Sequence, residues 1–214
     1  NPNLKSEYSD SYEISAILIM GISSFNISLY ELFTTNTIES VTTFQDNISV
    51  SGPENLGTKR VNGIEINGKI MPSKKIVING DLNYNTFDRK AIWQNRSFDF
   101  KGNSWSSEIS SKFKFPRDLD VEMSWNYQSG FKTIDGESFP SQFTNLGARK
   151  KLLKGKGVIS LNIRDLFATR VRENQTIRDN FNIWSRSFYG RFWVIGFSYG
   201  FGKGEAMEFR GRRR

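Results

Sequence analysis

The sequence has neither cysteine nor histidine among its 214 residues. The absence of cysteine excludes disulfide bonds and thiolate metal sites. The absence of histidine excludes Ser-His-Asp and Cys-His catalytic arrangements within the chain and removes the commonest metal ligand. We therefore expect a protein that is not an enzyme, with no catalytic residue, no metal site and no cofactor-binding site.

Long hydrophobic runs are also absent. The longest clearly apolar run, Ala16–Ile22, is far shorter than the ~20 residues of a membrane-spanning helix. Mean hydropathy is −0.50, yet 14% of the residues are aromatic, including 18 Phe and 5 Trp. Disordered chains are poor in aromatic residues. Low mean hydropathy with many aromatic residues is typical of a membrane β-barrel, in which only alternate strand residues face lipid.

The segment Arg191–Phe201 (RFWVIGFSYGF) shows such an alternation. One side has Trp193, Ile195, Phe197, Tyr199 and Phe201, and the other has Val194, Gly196, Ser198 and Gly200. Successive side chains of a strand point to opposite faces. A row of large apolar side chains opposite a row of small ones indicates a strand that faces lipid on one side and a lumen on the other.

The same alternation predicts nine strands. They are Ser11–Met20, Phe25–Phe44, Thr58–Met71, Lys75–Phe87, Ser104–Phe115, Leu119–Gln128, Gln142–Leu153, a strand containing Ile159–Arg164, and Arg191–Phe201. The alternation of Leu119–Gln128 has no error over ten residues. We expect an all-β fold, an antiparallel transmembrane β-barrel portion.

The connections between these strands alternate in length. The short ones are Gly21–Ser24, Pro72–Lys74, Pro116–Asp118 and Lys154–Gly157, and the long ones are Gln45–Gly57, Asp88–Asn103, Gly130–Ser141 and Asp165–Asn182. Outer-membrane barrels have short periplasmic turns and longer extracellular loops. A soluble β-sandwich also has many short strands, but it has no reason to sort its loops by length. Gly52-Pro53 is expected to prevent a continuous strand within Gln45–Gly57.

Nine strands are an unusual number, because bacterial single-chain barrels have even strand numbers. An open sheet would leave unpaired backbone groups in lipid at both edges. The chain starts at Asn1-Pro2 without a signal-peptide pattern. We therefore expect these strands to be the C-terminal portion of a larger barrel.

Four ordered segments carry a resemblance to a known family. They are NPNLKSEYSDSYEIS (Asn1–Ser15), PENLGTKRVNGIEING (Pro53–Gly68), VISLNIRDLFATR (Val158–Arg170) and GFSYGFGK (Gly196–Lys203). Each resembles a segment of the C-terminal β-barrel of TonB-dependent outer-membrane receptors, in the outer-membrane β-barrel branch common in Bacteroidetes-type bacteria. The sequence departs from the family pattern at Ala168, where the family usually has Asn, and residues 204–214 extend past the usual last strand.

The resemblance implies a location in the bacterial outer membrane and a function in importing a nutrient ligand. It also implies a plugged barrel of the 22-stranded type. The expected partners are outer-membrane lipid, the remaining barrel strands, the plug domain and a TonB-type energy-coupling protein that contacts an N-terminal part. Residues 1–203 are expected to form the barrel strands and residues 204–214 a basic periplasmic tail.

The Arg-rich tail raises the question of a nucleic-acid partner. Arg210–Arg214 supplies four of the eight positive charges in the net charge of +8. Basic runs can bind nucleic acid, but this run follows a membrane-like strand without a basic helix. We expect a solvated tail and no nucleic-acid partner.

Twelve polar residues are predicted to face the lumen. They are Glu65, Lys69, Asp81, Glu108, Lys112, Lys114, Asp120, Glu122, Asn126, Gln128, Asn162 and Arg164. Some could line a substrate path or contact a plug, but cross-strand ion pairing is the favoured interpretation. Asp120 and Glu122 look like paired carboxylates, and nearby lysines favour pairing over catalysis.

Ligand recognition is expected in the long connections, although the ligand-binding residues and the substrate (siderophore, glycan or peptide) stay unassigned. The candidate ring and cation contacts are Trp93, Arg96, Phe98, Phe131, Phe139, Arg172, Phe181 and Trp184. Loop packing or an interfacial aromatic girdle is an equally good interpretation of them. Gly196, Gly200 and Gly202 are expected to admit a plug or a neighbouring backbone, not to bind phosphate.

Two other functions fit the sequence. The first is a structural or secretion-associated outer-membrane barrel without nutrient import. The second is a barrel-embedded hydrolase, which the absence of histidine disfavours.

Overall fold

The computed structural model describes residues 1–45, 48–93, 96–134, 136–178 and 181–201. Nine of its strands form one sheet: β1 (Tyr8–Met20), β2 (Ser23–Thr35), β5 (Thr58–Ser73), β6 (Ile76–Trp93), β7 (Arg96–Phe115), β8 (Leu119–Gln128), β11 (Ser141–Leu152), β12 (Gly157–Arg164) and β15 (Phe192–Tyr199). Six shorter strands lie between them: β3 (Ile38–Gln45), β4 (Ile48–Asn55), β9 (Phe131–Thr133), β10 (Gly136–Ser138), β13 (Val171–Arg178) and β14 (Phe181–Phe188).

The nine strands form an antiparallel meander. Their order in the sheet, β1-β2-β5-β6-β7-β8-β11-β12-β15, follows their order in the chain. Each neighbouring pair is antiparallel. The predicted all-β antiparallel class and the nine strands are therefore confirmed. Within the described residues the sheet is open, because β1 and β15 each have one neighbour.

The register sorts the side chains of this sheet into two faces. One row runs from Ile14 on β1 through its partners Leu29, Ile64 and Tyr84 to Trp105 on β7. This side, which we name the apolar face, also carries Met123, Leu161 and Ile195 further along the sheet. The opposite side, named the polar face, carries rows such as Ser28, Glu65, Asn83 and Ser106.

The large side chains of the apolar face have no protein cover. The exposed fractions are 72% for Ile14, 53% for Leu29, 43% for Met123 and 78% for Ile195. Uncovered apolar side chains of this number are costly in water and favourable against lipid. No helix in the described part of the chain is long and apolar enough to cross a membrane.

Aromatic rings lie at both ends of the apolar face. Trp105 stacks on Tyr127 with ring centroids 4.3 Å apart at one end, and Phe113 lies 6.4 Å from Phe115 at the other. Trp105 and Phe115 are ten residues apart on β7, or about 34 Å along the strand. A tilt of ~40° reduces this span to about 26 Å, close to the ~25 Å apolar band of outer-membrane barrels.

The short connections between the nine strands lie at one end of the sheet, named the turn end. Three of the four use left-handed backbone, with φ of 61° at Gly21, 63° at Arg117, 58° at Asp118 and 57° at Lys154. The opposite end is named the loop end. The predicted short turns are therefore confirmed as a group on one side.

The predicted strand Phe25–Phe44 is wrong as a single element. The chain leaves the sheet after Thr35, at Asn36 with φ of 52°, and β3 then starts a separate hairpin with β4. The expectation that Gly52-Pro53 prevents a strand is also wrong, because Pro53 lies in β4 opposite Ser40. A two-stranded ribbon has two edges, and proline is tolerated at an edge, where no partner needs its missing N–H.

The predicted loop Asp88–Asn103 is likewise wrong. Strands β6 and β7 continue through it, and β5 stays paired with β6 as far as Thr58 opposite Lys90. We name this end of the β6–β7 pair, Asp88–Trp93 with Arg96–Lys101, the stalk hairpin. Its outer side pairs opposite charges, with Asp88 opposite Lys101 and Lys90 opposite Asp99. The sequence looks like a polar loop because the outer side is charged, whereas Ala91 and Phe98 point inward.

The two remaining long connections, Gly130–Ser141 and Asp165–Asn182, also contain strands, against expectation. They supply β9, β10 and β13, and β14 starts at the end of the second connection and runs beyond it to Phe188. These four strands pair in the order β14-β13-β10-β9, which we name the loop-end sheet. β9 and β10 have three residues each. Such short strands carry too few residues for a visible alternation.

A small hydrophobic core lies at the loop end. Val41, Leu56 and Ala91 are buried, and Phe98 and Ile134 pack against them. Gly57 joins this core to β5 with φ of 60°, and an added Cβ would lie 1.9 Å from the Lys90 carbonyl oxygen. The chain can therefore pass this close to β6 only at a glycine.

Candidate functional site

The polar face contains all twelve predicted lumen-facing residues. The pairs Asp81 with Glu108 and Lys112 with Glu122 lie directly opposite each other on it. Asn126 and Asn162 lie on the same side further along the sheet. The structure therefore brings these residues onto one surface, while their roles in transport or plug contact stay predictions.

A depression of about 550 Å³ lies on the sheet and is lined by amide, hydroxyl and carboxylate groups. Near it, Tyr30 donates a hydrogen bond to Asn83 Oδ1 at 3.1 Å, and Asn85 donates to the same oxygen at 3.1 Å. Ser104 donates to Asn85 Oδ1 at 3.1 Å. Gly63 lies under the Tyr30 ring, and a Cβ added to Gly63 would lie 2.3 Å from that ring. The absence of a side chain at Gly63 therefore lets Tyr30 reach Asn83. This ladder fixes the orientation of the amides on the polar face.

Two carboxylates face each other in the depression. Asp81 and Glu108 occupy directly opposite positions on β6 and β7. Like charges directly opposite destabilise a strand pair. Sequence reasoning named both residues but missed their juxtaposition, since it depends on the register between two strands.

The ion pairs of the polar face support the predicted cross-strand pairing. Arg149 on β11 lies 3.3 Å from the Asp120 carboxylate on β8, its direct partner in the register. Lys114 lies opposite Asp120, and Lys112 lies opposite Glu122. Asp120 and Glu122 thus lie among cations, as expected for pairing.

A second charged group lies at the loop end, beyond the apolar band. Arg89 contacts Glu39 at 2.6 Å and lies over the rings of Phe87 and Phe100 at 5.5 and 5.8 Å. Lys59 is the register partner of Arg89. Burial lowers the pKa of the Lys59 ammonium from its ordinary value, and the Arg89 charge lowers it further. Arg89 therefore ties β6 to the β3–β4 hairpin.

The eight predicted loop contacts have different environments. Phe98 packs against the small loop-end core, which supports its packing interpretation. Phe131 and Phe181 are partly buried, and Arg172 is exposed on β13. The backbones of Trp93 and Arg96 pair at the end of the stalk hairpin, and their side chains lie outside the described residues.

Phe139 and Trp184 come together on the loop-end sheet. With Glu173, Gln175 and Asn182 they line a cavity of about 480 Å³. We name the surface formed by these five residues the Trp184 surface. Trp184 is 63% exposed. Its Nε1 donates a hydrogen bond to Glu173 Oε1 at 3.0 Å. Sequence reasoning missed the three polar members, because only the pairing of β13 with β14 brings them to the rings.

The segment Asp165–Arg170 forms a fixed turn between the sheet and the loop-end sheet. Asp165 is 2% exposed, and its carboxylate accepts hydrogen bonds from the backbone N–H groups of Thr169 at 2.9 Å and Arg170 at 3.0 Å. The Arg170 guanidinium lies between the rings of Phe143 and Tyr189, at 4.5 and 4.6 Å. Ala168 has φ of 54°, a conformation that Asn adopts more readily than Ala.

At Gly196 the close neighbour is a side chain, and the expected approach of a plug or a neighbouring backbone stays a prediction. An added Cβ there would lie 2.7 Å from Ser160 Oγ, so the neighbour is the side chain opposite it on β12. Gly202 and the basic tail 204–214 lie outside the described residues. Among the described residues no group of three or more acidic side chains could hold a metal ion.

The open antiparallel sheet, the uncovered apolar face between two aromatic bands and the polar opposite face define an outer-membrane type of β-barrel sheet. A family model described as the outer membrane protein beta-barrel family matches residues 1–199. The chain belongs to this family, and its location is the bacterial outer membrane. Comparisons with curated proteins and with solved structures gave no match.

Proposed function

We propose that the chain is part of a TonB-dependent outer-membrane receptor that imports a nutrient ligand. The observation that carries the proposal is the polar face of the nine-stranded sheet, with its depression of about 550 Å³ and its fixed amides. In a closed barrel the polar face would line the lumen, where its oriented donors and acceptors suit the passage of a polar ligand. The four ordered motifs of the sequence support the receptor type.

In this proposal the free edges of β1 and β15 pair with further strands of the same protein. Closure removes unpaired backbone groups from lipid, where each costs several kcal/mol. The apolar face contacts outer-membrane lipid, and the polar face contacts a plug domain. The protein performs no catalysis and binds no nucleic acid.

Cross-linking in living cells tests the proposal. We expect the full-length protein to cross-link to a TonB-type energy-coupling protein, and a variant lacking the segment before the barrel to lose that product. Cross-linking to other envelope proteins, with no TonB-type product, would instead support a structural or secretion-associated barrel.

A further inference from the structure

We propose that the Trp184 surface binds a neutral sugar ring of a glycan. The inference rests on the proposed import function and deepens it, since it names the class of ligand. Its cavity of about 480 Å³ lies within the ~300–1,000 Å³ typical of ligand sites.

The exposed ring of Trp184 has a fixed orientation. Both carboxylate oxygens of Glu173 are engaged, with Oε1 accepting from Trp184 Nε1 at 3.0 Å and Oε2 lying 3.2 Å from Arg186 Nε. This arrangement holds the indole by its edge while the residue stays 63% exposed. A rigid exposed indole presents an apolar face to a ligand at little cost in conformational entropy. The C–H groups on one side of a sugar ring fit such a face.

Two side-chain amides lie beside the ring. Gln175 lies opposite Trp184 in the register, and its Nε2 donates to Asn182 Oδ1 at 3.0 Å. The bond orients the Gln175 carbonyl oxygen and the Asn182 amide nitrogen as an adjacent acceptor and donor. A sugar hydroxyl donates and accepts at once, so it can satisfy both groups.

The charges around the ring are balanced. The carboxylate of Glu173 and the guanidinium of Arg186 form an ion pair. On the same face of the sheet, Lys132 lies opposite Glu137, so these charges also balance. An anionic ligand would need unpaired cations, and a purely apolar ligand would leave the two amides unsatisfied. A neutral polyhydroxylated ring fits all three features.

Binding to the full-length protein in detergent tests the inference, with maltohexaose, cellohexaose, mannohexaose and xylohexaose as probes in calorimetry. We expect at least one to bind, Trp184→Ala to weaken that binding at least tenfold, and Asn182→Ala to weaken it severalfold. Trp184→Phe keeps a ring face and should stay within about threefold. Phe167→Ala, a 62% exposed aromatic side chain at the same end, should have no effect.

Indole fluorescence separates contact from a structural role. A sugar stacked on Trp184 should change the emission of the wild type, and this change should disappear in Trp184→Phe although binding persists. Heat-modifiable migration checks that each variant folds. Failure of all four sugars to bind, or equal affinity of the wild type and a folded Trp184→Ala variant, would overturn the inference.

Uptake distinguishes this inference from the proposed function. Sugar binding without energy-dependent accumulation in cells would overturn import and leave the binding site standing. Energy-dependent import of another ligand by a protein that binds none of the sugars would overturn the site alone.

Discussion

The nine-stranded sheet and the small hydrophobic core at the loop end keep their large apolar side chains in opposite places. On the sheet, Ile195, Phe197 and Ile14 are 78%, 67% and 72% exposed. At the loop end, Val41 and Leu56 are 4% and 3% exposed and form a core with Ala91. The sheet therefore needs lipid to cover its apolar face, whereas the loop-end core buries its apolar side chains as a water-soluble protein does.

One chain therefore follows two sets of packing rules within a few residues. Lipid is as apolar as leucine, so the outer surface of the sheet tolerates apolar changes but not charged ones. The loop end depends on buried contacts, and so it is sensitive to lost volume and to lost hydrogen bonds. The substitutions below test this contrast.

The largest effect is expected for a charge on the apolar face. Met123→Arg should lower the free energy of unfolding of the full-length protein in lipid by about 3 kcal/mol, because the guanidinium would enter the hydrocarbon. Ser124→Arg, the next residue on the same strand but on the polar face, is the matched control. Denaturant titration in vesicles, read by heat-modifiable migration, measures both. Equal losses for the two variants would contradict the assignment of faces.

A cavity at the loop end should have the next largest effect. Leu56→Ala should lower the free energy of local unfolding of the β3–β4 hairpin by about 2.5 kcal/mol, because removal of the buried leucine side chain leaves a void. Hydrogen exchange of the β3–β4 hairpin in the full-length protein measures the loss as faster exchange. Leu82→Ala on the apolar face is the control, since lipid fills its space. If Leu82→Ala loosened its strands as much as Leu56→Ala loosens the hairpin, the contrast between the regions would fail.

The third largest loss of stability is expected in the turn Asp165–Arg170, which connects the two regions. Asp165→Ala removes the acceptor of two backbone N–H groups and should destabilise the turn by about 2 kcal/mol. Amide exchange at Thr169 and Arg170 should accelerate by about thirtyfold. Phe167→Ala in the same turn has an exposed side chain and should change little. Unchanged protection of both amides in Asp165→Ala would show that the carboxylate does not hold the turn.

The smallest expected effect is a gain in the stability of this turn. Ala168→Asn should stabilise the same turn by about 0.5 kcal/mol, because Asn accepts left-handed φ more readily than Ala. Slower exchange at Thr169 and Arg170 would report it. Phe167→Asn is the control. Phe167 precedes Ala168, its side chain is exposed and its φ is not left-handed, so this substitution should not stabilise the turn. Faster exchange in Ala168→Asn would contradict the conformational argument.

The sequence predicted the sheet well, because alternation over eight or more residues records which face meets lipid. Leu119–Gln128 matches β8 residue for residue. The loop end was harder, since strands such as β9 and β10 are too short to alternate visibly. The stalk hairpin was missed because Asp88 and Lys101 look like loop residues until they are paired across two strands.

The candidate site divides in the same way. Residues of the polar face, such as Glu65 and Asn126, could be predicted because their side follows from the alternation of their own strands. Phe139 and Trp184 were named as separate rings, but their shared cavity depends on the pairing of β10 with β13 and of β13 with β14. Contacts between strands that are distant in sequence need the register, which no local pattern contains.

The stalk hairpin is part of a rim of sheet beyond the apolar band. From Trp105 in the aromatic band to Arg96, β7 continues for nine residues, about 30 Å along the strand. Strands β1, β2 and β5 pair alongside it as far as Thr58 opposite Lys90, so five strands share the rim. In the orientation that the short turns predict, this rim stands at the outer surface of the cell and its paired backbone keeps the mouth of the polar face in one shape.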